Sequence, residues 1–313
     1  YEIKAEANAY FQNRDRGRGS GYKQYKRWEE LVEPRLGPSG ELINIAAKNT
    51  EEYEKYVANF DANTLPADYD PGYWTCMGPD DWVDGWGWNG GQGRVNCIAF
   101  HPWTASTIYA GTPAGGLWKY TTADGWEPLT DGLPIIGVSG IAVHHTNPNI
   151  IYILTGDGDG GHTHSIGVLK TTNGGITWQP TNLSWDVTDF VRPYKLLQHP
   201  TNTNIQYIVS NEGIHKTTDG WQTYTNVKSG LFYDIEFRPG NPSIMYATNR
   251  YDFYKSTNSG DTWNVVTSGL PNTGTYRIAI GVTPANSNYV YLLYGRSGGN
   301  RSPFKGLYRS YDG

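Results

Sequence analysis

Residues 167–178 read Gly-Val-Leu-Lys-Thr-Thr-Asn-Gly-Gly-Ile-Thr-Trp, and this stretch comes back along the chain. Residues 253–263 read Phe-Tyr-Lys-Ser-Thr-Asn-Ser-Gly-Asp-Thr-Trp, and residues 213–224 read Gly-Ile-His-Lys-Thr-Thr-Asp-Gly-Trp-Gln-Thr-Tyr. Residues 116–126 are a looser copy, and residues 306–313 begin a fifth. The basic residue of the unit falls at Lys119, Lys170, Lys216, Lys255 and Arg309, with gaps of 51, 46, 39 and 54 residues. A period of this size belongs to a propeller, a solenoid or an array.

Within each unit a short strand runs into a turn with Asn or Asp and then Gly. Asn and Asp side chains bond the backbone two residues on, and Gly takes positive φ without a steric cost. The closing Trp covers the hairpin base and needs a partner for its N–H. Trp178, Trp263, Asn173, Asp219 and Asn258 are therefore expected to be structural. Residues 171–178 and 256–263 resemble the Asp-box, or bacterial neuraminidase repeat, Ser/Thr-x-Asp-x-Gly-x-Thr-Trp, with Asn173 and Asn258 in place of the Asp. Residues 217–224 keep Asp219 but have Trp221 where the Gly belongs. The resemblance implies the rim of a β-propeller, remote from the ligand face, and says little about function.

From residue 73 onward, apolar strands ending in Pro alternate with runs rich in Ile, Val and Tyr, which is strand text. Four strands per unit around an axis is the propeller plan. The expected fold is all-β: five visible four-stranded blades over residues 73–313, the fifth incomplete. The expected ring is sortilin-like, either a longer ring or part of two tandem rings. Residues 1–72 form a distinct helical and loop arm. Tyr22, Tyr25, Trp28 and Val32 share a helical face, Pro34 ends that helix, and a second helix is expected over 50–60 with Thr50 as its N-cap.

Net charge is −5, only 18% of residues are charged, and there is no basic stripe, so nucleic acid is not an expected partner. No apolar run is long enough to span a bilayer. Gly (39), Tyr (24) and Trp (12) are abundant, as in extracellular all-β proteins. The two cysteines, Cys76 and Cys97, are expected to pair in an exported chain.

The richest loop is residues 155–165, Thr-Gly-Asp-Gly-Asp-Gly-Gly-His-Thr-His-Ser. Asp157 and Asp159 read as half a calcium loop, against the alternative of Asp side chains capping their own turn. His162 and His164 have the spacing of a transition-metal pair. Trp82, Trp86 and Trp88 suit glycan stacking, against the alternative of a plug between arm and propeller.

Two family resemblances add to this. Residues 11–15, 19–29, 33–40, 93–102 and 108–118 resemble the mature start of large secreted Bacteroidota proteins that carry Asp-box propellers and a type IX secretion sorting domain. That implies export by the type IX machinery to the cell surface or medium. Residues 98–118, with Phe-His-Pro, Tyr-Ala and Gly-Gly, also resemble the xyloglucanases. That family carries its first catalytic Asp just before the Gly-Gly, and here the place reads Thr112-Pro113-Ala114-Gly115-Gly116. Because Pro cannot transfer a proton, the sequence points first to a non-catalytic module that binds a glycan or an extracellular protein. A glycoside hydrolase of xyloglucanase or sialidase type is the alternative, and a structural component of an extracellular assembly is the third.

Overall fold

A computed structural model describes residues 2–41, 43, 45–59, 93–133, 137–160, 163–271, 273–296 and 304–313. Two compact units separate, residues 1–65 and 66–313.

The first unit contains helices α1 (Glu2–Phe11), α2 (Tyr22–Val32) and α3 (Ile45–Asn59). Phe11 is buried with its ring against Tyr22 and Tyr25, at centroid distances of 5.2 and 5.7 Å. Helix α2 ends where expected, with Pro34 in a 3-10 turn over Glu33–Arg35. Helix α3 starts at Ile45, so Thr50 lies inside it and is not its N-cap. The acidic pair Glu51 and Glu52 therefore lies in the middle of the helix and not in its first turn. They instead pair along the helix with Lys48 and Lys55.

The second unit is built of antiparallel sheets. Blade 1 is β1 (Cys97–Phe100), β2 (Ile108–Gly111), β3 (Leu117–Thr121) and β4 (Gly125–Pro128). Blade 2 is β5 (Val138–Val143), β6 (Ile151–Thr155), β7 (Gly167–Thr171) and β8 (Gln179–Ser184). Blade 3 is β9 (Pro193–Gln198), β10 (Gln206–Ser210), β11 (Gly213–Thr217) and β12 (Thr225–Ser229). Blade 4 is β13 (Asp234–Arg238), β14 (Asn241–Thr248), β15 (Phe253–Ser256) and β16 (Asn264–Val266). Among the described residues blade 5 has three strands, β17 (Thr275–Val282), β18 (Val290–Arg296) and β19 (Phe304–Ser310). The first strands of successive blades adjoin, so β1, β5, β9, β13 and β17 line the inside.

Burial between blades drives this arrangement. Tyr152, Leu154 and Val168 of blade 2 pack on Leu196 and Ile208 of blade 3. Tyr207, Val209 and Ile214 of blade 3 pack on Ile235, Met245 and Ala247 of blade 4. Alternation along each strand gives every blade two apolar faces, which is why the second strands read as nearly continuous apolar runs.

The repeated turn is built the same way three times. Thr171 Oγ1 donates to Asn173 Oδ1 (2.8 Å) and accepts from Gly175 N (3.0 Å), while Asn173 Oδ1 accepts from Thr177 N (3.0 Å). Ser256 and Asn258 repeat this with Gly260 N (2.9 Å) and Thr262 N (3.0 Å). Thr217 and Asp219 repeat it with Trp221 N (3.0 Å) and Thr223 N (2.8 Å). Amide and carboxylate oxygens serve equally, because the turn asks only for an acceptor. Trp263 is buried, and Trp178 is half-buried with its Nε1 donating to Leu129 O at 2.9 Å. In blade 3 the aromatic at the closing position, Tyr224, is exposed, and Trp221 enters the core instead.

His215 on β11 is buried beside Trp185 and Tyr224, with ring centroids 5.8 and 5.9 Å away. Burial lowers its pKa to about 4. The folded value lies below the unfolded one, so the neutral ring is favoured in the fold. Its contribution is present above about pH 6.5 and is lost as pH falls towards 4. Wild type is expected to lose stability steadily over that window, by up to about 3 kcal/mol from this group. His215→Phe should flatten the loss, as read by melting temperature against pH.

Candidate functional site

Antiparallel pairing fixes which loops share an end of the propeller. Val138 at the start of β5 pairs with Thr155 at the end of β6, and Asp234 at the start of β13 pairs with Thr248. The loops from second to third strand therefore lie beside the starts of the inner strands, and the repeated turns lie at the opposite end. The 156–166 loop is at the inner-strand end, with Asp157 and Asp159 in it.

Asp157 is 1% exposed. Its Oδ2 accepts from Gly160 N (2.9 Å) and Arg94 Nη2 (2.5 Å), and its Oδ1 from Asp159 N (3.2 Å) and Asn96 Nδ2 (3.5 Å). Asp159 points outward, with a side chain 47% exposed, and pairs with the Arg277 guanidinium. Arg277 lies 5.8 and 5.2 Å from the ring centroids of Tyr194 and Tyr233, which meet edge-to-face at 4.7 Å. Burial, then Tyr233, pushes the Tyr194 phenol up to about 12, so it stays protonated as a donor. Asn96, Ser139, Asp157, Asp159, Tyr194 and Arg277 line a polar cavity of about 60 Å³.

This donor set does not fit a calcium ion. Both oxygens of Asp157 are already taken by N–H donors, and a guanidinium neutralises each carboxylate. Chelator is expected to leave the melting temperature unchanged. A drop that calcium reverses would contradict that, because a ligand of the native state alone stabilises by mass action. His164 packs edge-to-face on Phe190 at 4.9 Å, and burial, then Arg192, lowers its pKa. Its expected companion His162, the tryptophans Trp82, Trp86 and Trp88, and Cys76 all lie outside the described residues. Cys97 Sγ sits 3.8 Å from Val138 O in the interface between blades 1 and 2.

Below the cavity the inner wall is charged. Lys195 Nζ on β9 bridges Asp234 Oδ1 (2.7 Å) and Glu236 Oε1 (2.6 Å) on β13. Asp234 Oδ2 also accepts from Ile280 N at 2.8 Å, tying blades 3, 4 and 5 together. Burial raises the pKa of Glu236, and Lys195 offsets part of that. Burial alone would lower Lys195, but the two carboxylates hold it above its ordinary value. Sequence reading did not single out Lys195, Asp234, Glu236, Tyr194 or Tyr233. The signal available was the alternation Asp234-Ile235-Glu236-Phe237-Arg238, which places polar groups on one strand face.

Pro113 occupies the position two residues past β2, and Asp157 holds the same position past β6. The two loops touch, since Thr163 Oγ1 donates to Pro113 O at 2.7 Å.

No protein-family model matches the chain. Over 153 residues, 45% of the chain, it is 31% identical to a xyloglucanase of Hypocrea jecorina. Over 152 residues it is 28% identical to a xyloglucanase of Paenibacillus. The matched stretch spans 18% and 15% of those relatives. Among solved structures, the GH74 enzyme of Niastella koreensis matches 70% of the chain and 36% of its own, with TM-score 0.55 and 21% identity. The GH74 xyloglucanase of Xanthomonas campestris gives a TM-score of 0.53 at 20% identity, again over 70% of this chain and 36% of that one. These structures establish the propeller fold. The sequence relatives correct the first functional expectation: the proteins this chain resembles are glycoside hydrolases, and a non-catalytic adhesion module is not what the resemblance supports. The substitution at Pro113 concerns one position in one blade.

Among the described residues, no helix is long and apolar enough to cross a membrane.

Proposed function

We propose that the chain is the propeller portion of a glycoside hydrolase acting on a β-glucan of the xyloglucan type. The observation that carries the reading is the 31% identity to a xyloglucanase over 153 residues. Glycoside hydrolysis generally needs two carboxyl groups, one to protonate the leaving oxygen and one to act as base or nucleophile. Position 113 supplies neither. The neighbouring blade supplies Asp157 at the same place, with Asp159 two residues on at the mouth of the cavity. Asp157 is fully engaged in holding its loop, so Asp159, half-exposed and paired with the half-exposed Arg277 guanidinium, is the carboxylate a sugar can reach. Glu236, raised by burial on the inner wall, is the second carboxyl available to the same end of the propeller. The half-buried ring of Tyr194 offers surface for stacking, while Tyr233 is buried behind it.

Export belongs to the same reading. The repeated turns are taken as Asp-boxes, and the chain as a secreted Bacteroidota protein of the type IX secretion kind, on the resemblance of residues 11–40 and 93–118.

The test is to incubate the protein with xyloglucan, mixed-linkage β-glucan and sialosides, and to measure reducing ends and free sialic acid. Release from xyloglucan that survives repurification is the expected result. Absence of turnover on every glucan would refute the proposal.

A further inference from the structure

The second residue past the second strand stands at the same end of each blade. It is Pro113 past β2, Asp157 past β6, Glu212 past β10 and Arg250 past β14. Blade 4 therefore sets a cation where blades 2 and 3 set carboxylates.

The turn that carries Arg250 is tied down by its own side chains. Asn249 Oδ1 accepts from Tyr251 N (2.7 Å) and Asp252 N (2.6 Å). Arg250 itself is half-buried, with its guanidinium 5.2 Å from the centroid of the Tyr276 ring. The phenols of Tyr233, then Tyr251, face the guanidinium and hold its pKa above the ordinary value. The charges nearby are already engaged. Arg277 pairs with Asp159, and Asp252 Oδ2 accepts from Asn249 Nδ2 and Tyr254 OH, each at 3.4 Å. Among the described residues no carboxylate faces Arg250, and its Nε is buried without an acceptor. A buried donor left unpaired is costly, and more so on a charged group. Such groups are few in folded proteins and call for an explanation.

We propose that Arg250 binds a carboxylate on the glycan, so that the substrate is a β-glucan bearing uronic acid units. This assignment rests on the glycoside hydrolase reading and narrows its substrate class. A carboxylate presents two oxygens in one plane, and a guanidinium meets them with two parallel N–H groups. Stacking on Tyr276 fixes the plane of the guanidinium. The Tyr251 ring, 51% exposed beside it, offers apolar surface to the face of the sugar.

The test is calorimetric titration of the 313-residue chain with three forms of one xyloglucan oligosaccharide: neutral, oxidised at its primary hydroxyls to carboxylates, and sulfated at the same hydroxyls. The carboxylated form is expected to bind about 10-fold to 100-fold more tightly than the neutral one, the range for hydrogen bonds to a charged group. That advantage should shrink as salt is raised. Arg250→Gln should abolish it. Arg250→Lys, which keeps the charge and loses the fork, should retain only part of it. Without ligand, the melting temperature of Arg250→Gln should match or exceed that of wild type, since no ion pair is lost. Equal binding of the carboxylated and neutral forms, tightest binding of the sulfated form, or a preference that survives Arg250→Gln would overturn the proposal. A melting temperature several degrees lower in Arg250→Gln would do the same, by making the residue structural. Binding of the carboxylated form through Arg250 with no glucan hydrolysed would refute the hydrolase reading and leave the carboxylate site standing. Hydrolysis with no preference for the carboxylated form would do the reverse.

Discussion

Asp159→Asn is expected to lower kcat on xyloglucan by about 10²–10⁴-fold, the loss typical of removing a general acid or base. The substitution keeps the shape of the side chain and one acceptor oxygen, and removes only the capacity to ionise. Asp159 is half-exposed and pairs with the exposed guanidinium of Arg277, so the melting temperature should hardly move. That combination separates the residue from Asp157. Asp157→Asn sets an amide against Arg94 and two backbone N–H groups at a site almost closed to water. Its activity should fall together with stability. If Asp159→Asn retains wild-type turnover while the protein hydrolyses xyloglucan, the carboxylates lie elsewhere on the inner wall, with Glu236 the next to replace.

Much of the propeller is legible in the sequence because its signals are local. The turn at residues 171–177 needs one hydroxyl and one acceptor two residues later, and both are visible as letters. The inner-strand ends of the loops are legible for the same reason: once the hairpins are placed, antiparallel pairing puts residues 155–165 at the opposite end. The charged wall is a different matter. Lys195, Asp234 and Glu236 come from strands about 40 residues apart in the chain, and only blade packing brings them within hydrogen-bonding distance. Arg277 reaches Asp159 across a separation of 118 residues, which no local pattern announces. The start of α3 is not legible because Thr50, Glu51 and Glu52 imitate a helix N-terminus, while the helix begins at Ile45.

Trp221 shows how a departure from a repeat can still satisfy its physics. Its φ is +68°, a left-handed value that glycine adopts freely and a bulky residue adopts at a cost of about 1–2 kcal/mol. The side chain is 1% exposed, and Nε1 donates to Gln206 Oε1 at 2.6 Å, with Gln206 itself fully buried. The ring packs with Leu154, Val168 and Ile208 across the interface of blades 2 and 3. Burial of that ring outweighs the backbone strain. Trp221→Ala is expected to cost about 3–5 kcal/mol, the range for emptying an aromatic site in a core. It leaves a cavity, a buried amide oxygen without its donor, and the left-handed backbone still strained. For a unit of this size the melting temperature should fall by roughly 6–20 °C. Trp221→Gly relieves the strain but leaves the same cavity, so it should recover no more than about 1–2 kcal/mol of the loss. If the two variants melt within a degree of wild type, Trp221 is not the aromatic that locks blade 3 to blade 2, and Tyr224 must be doing so from the exposed position the repeat assigns it.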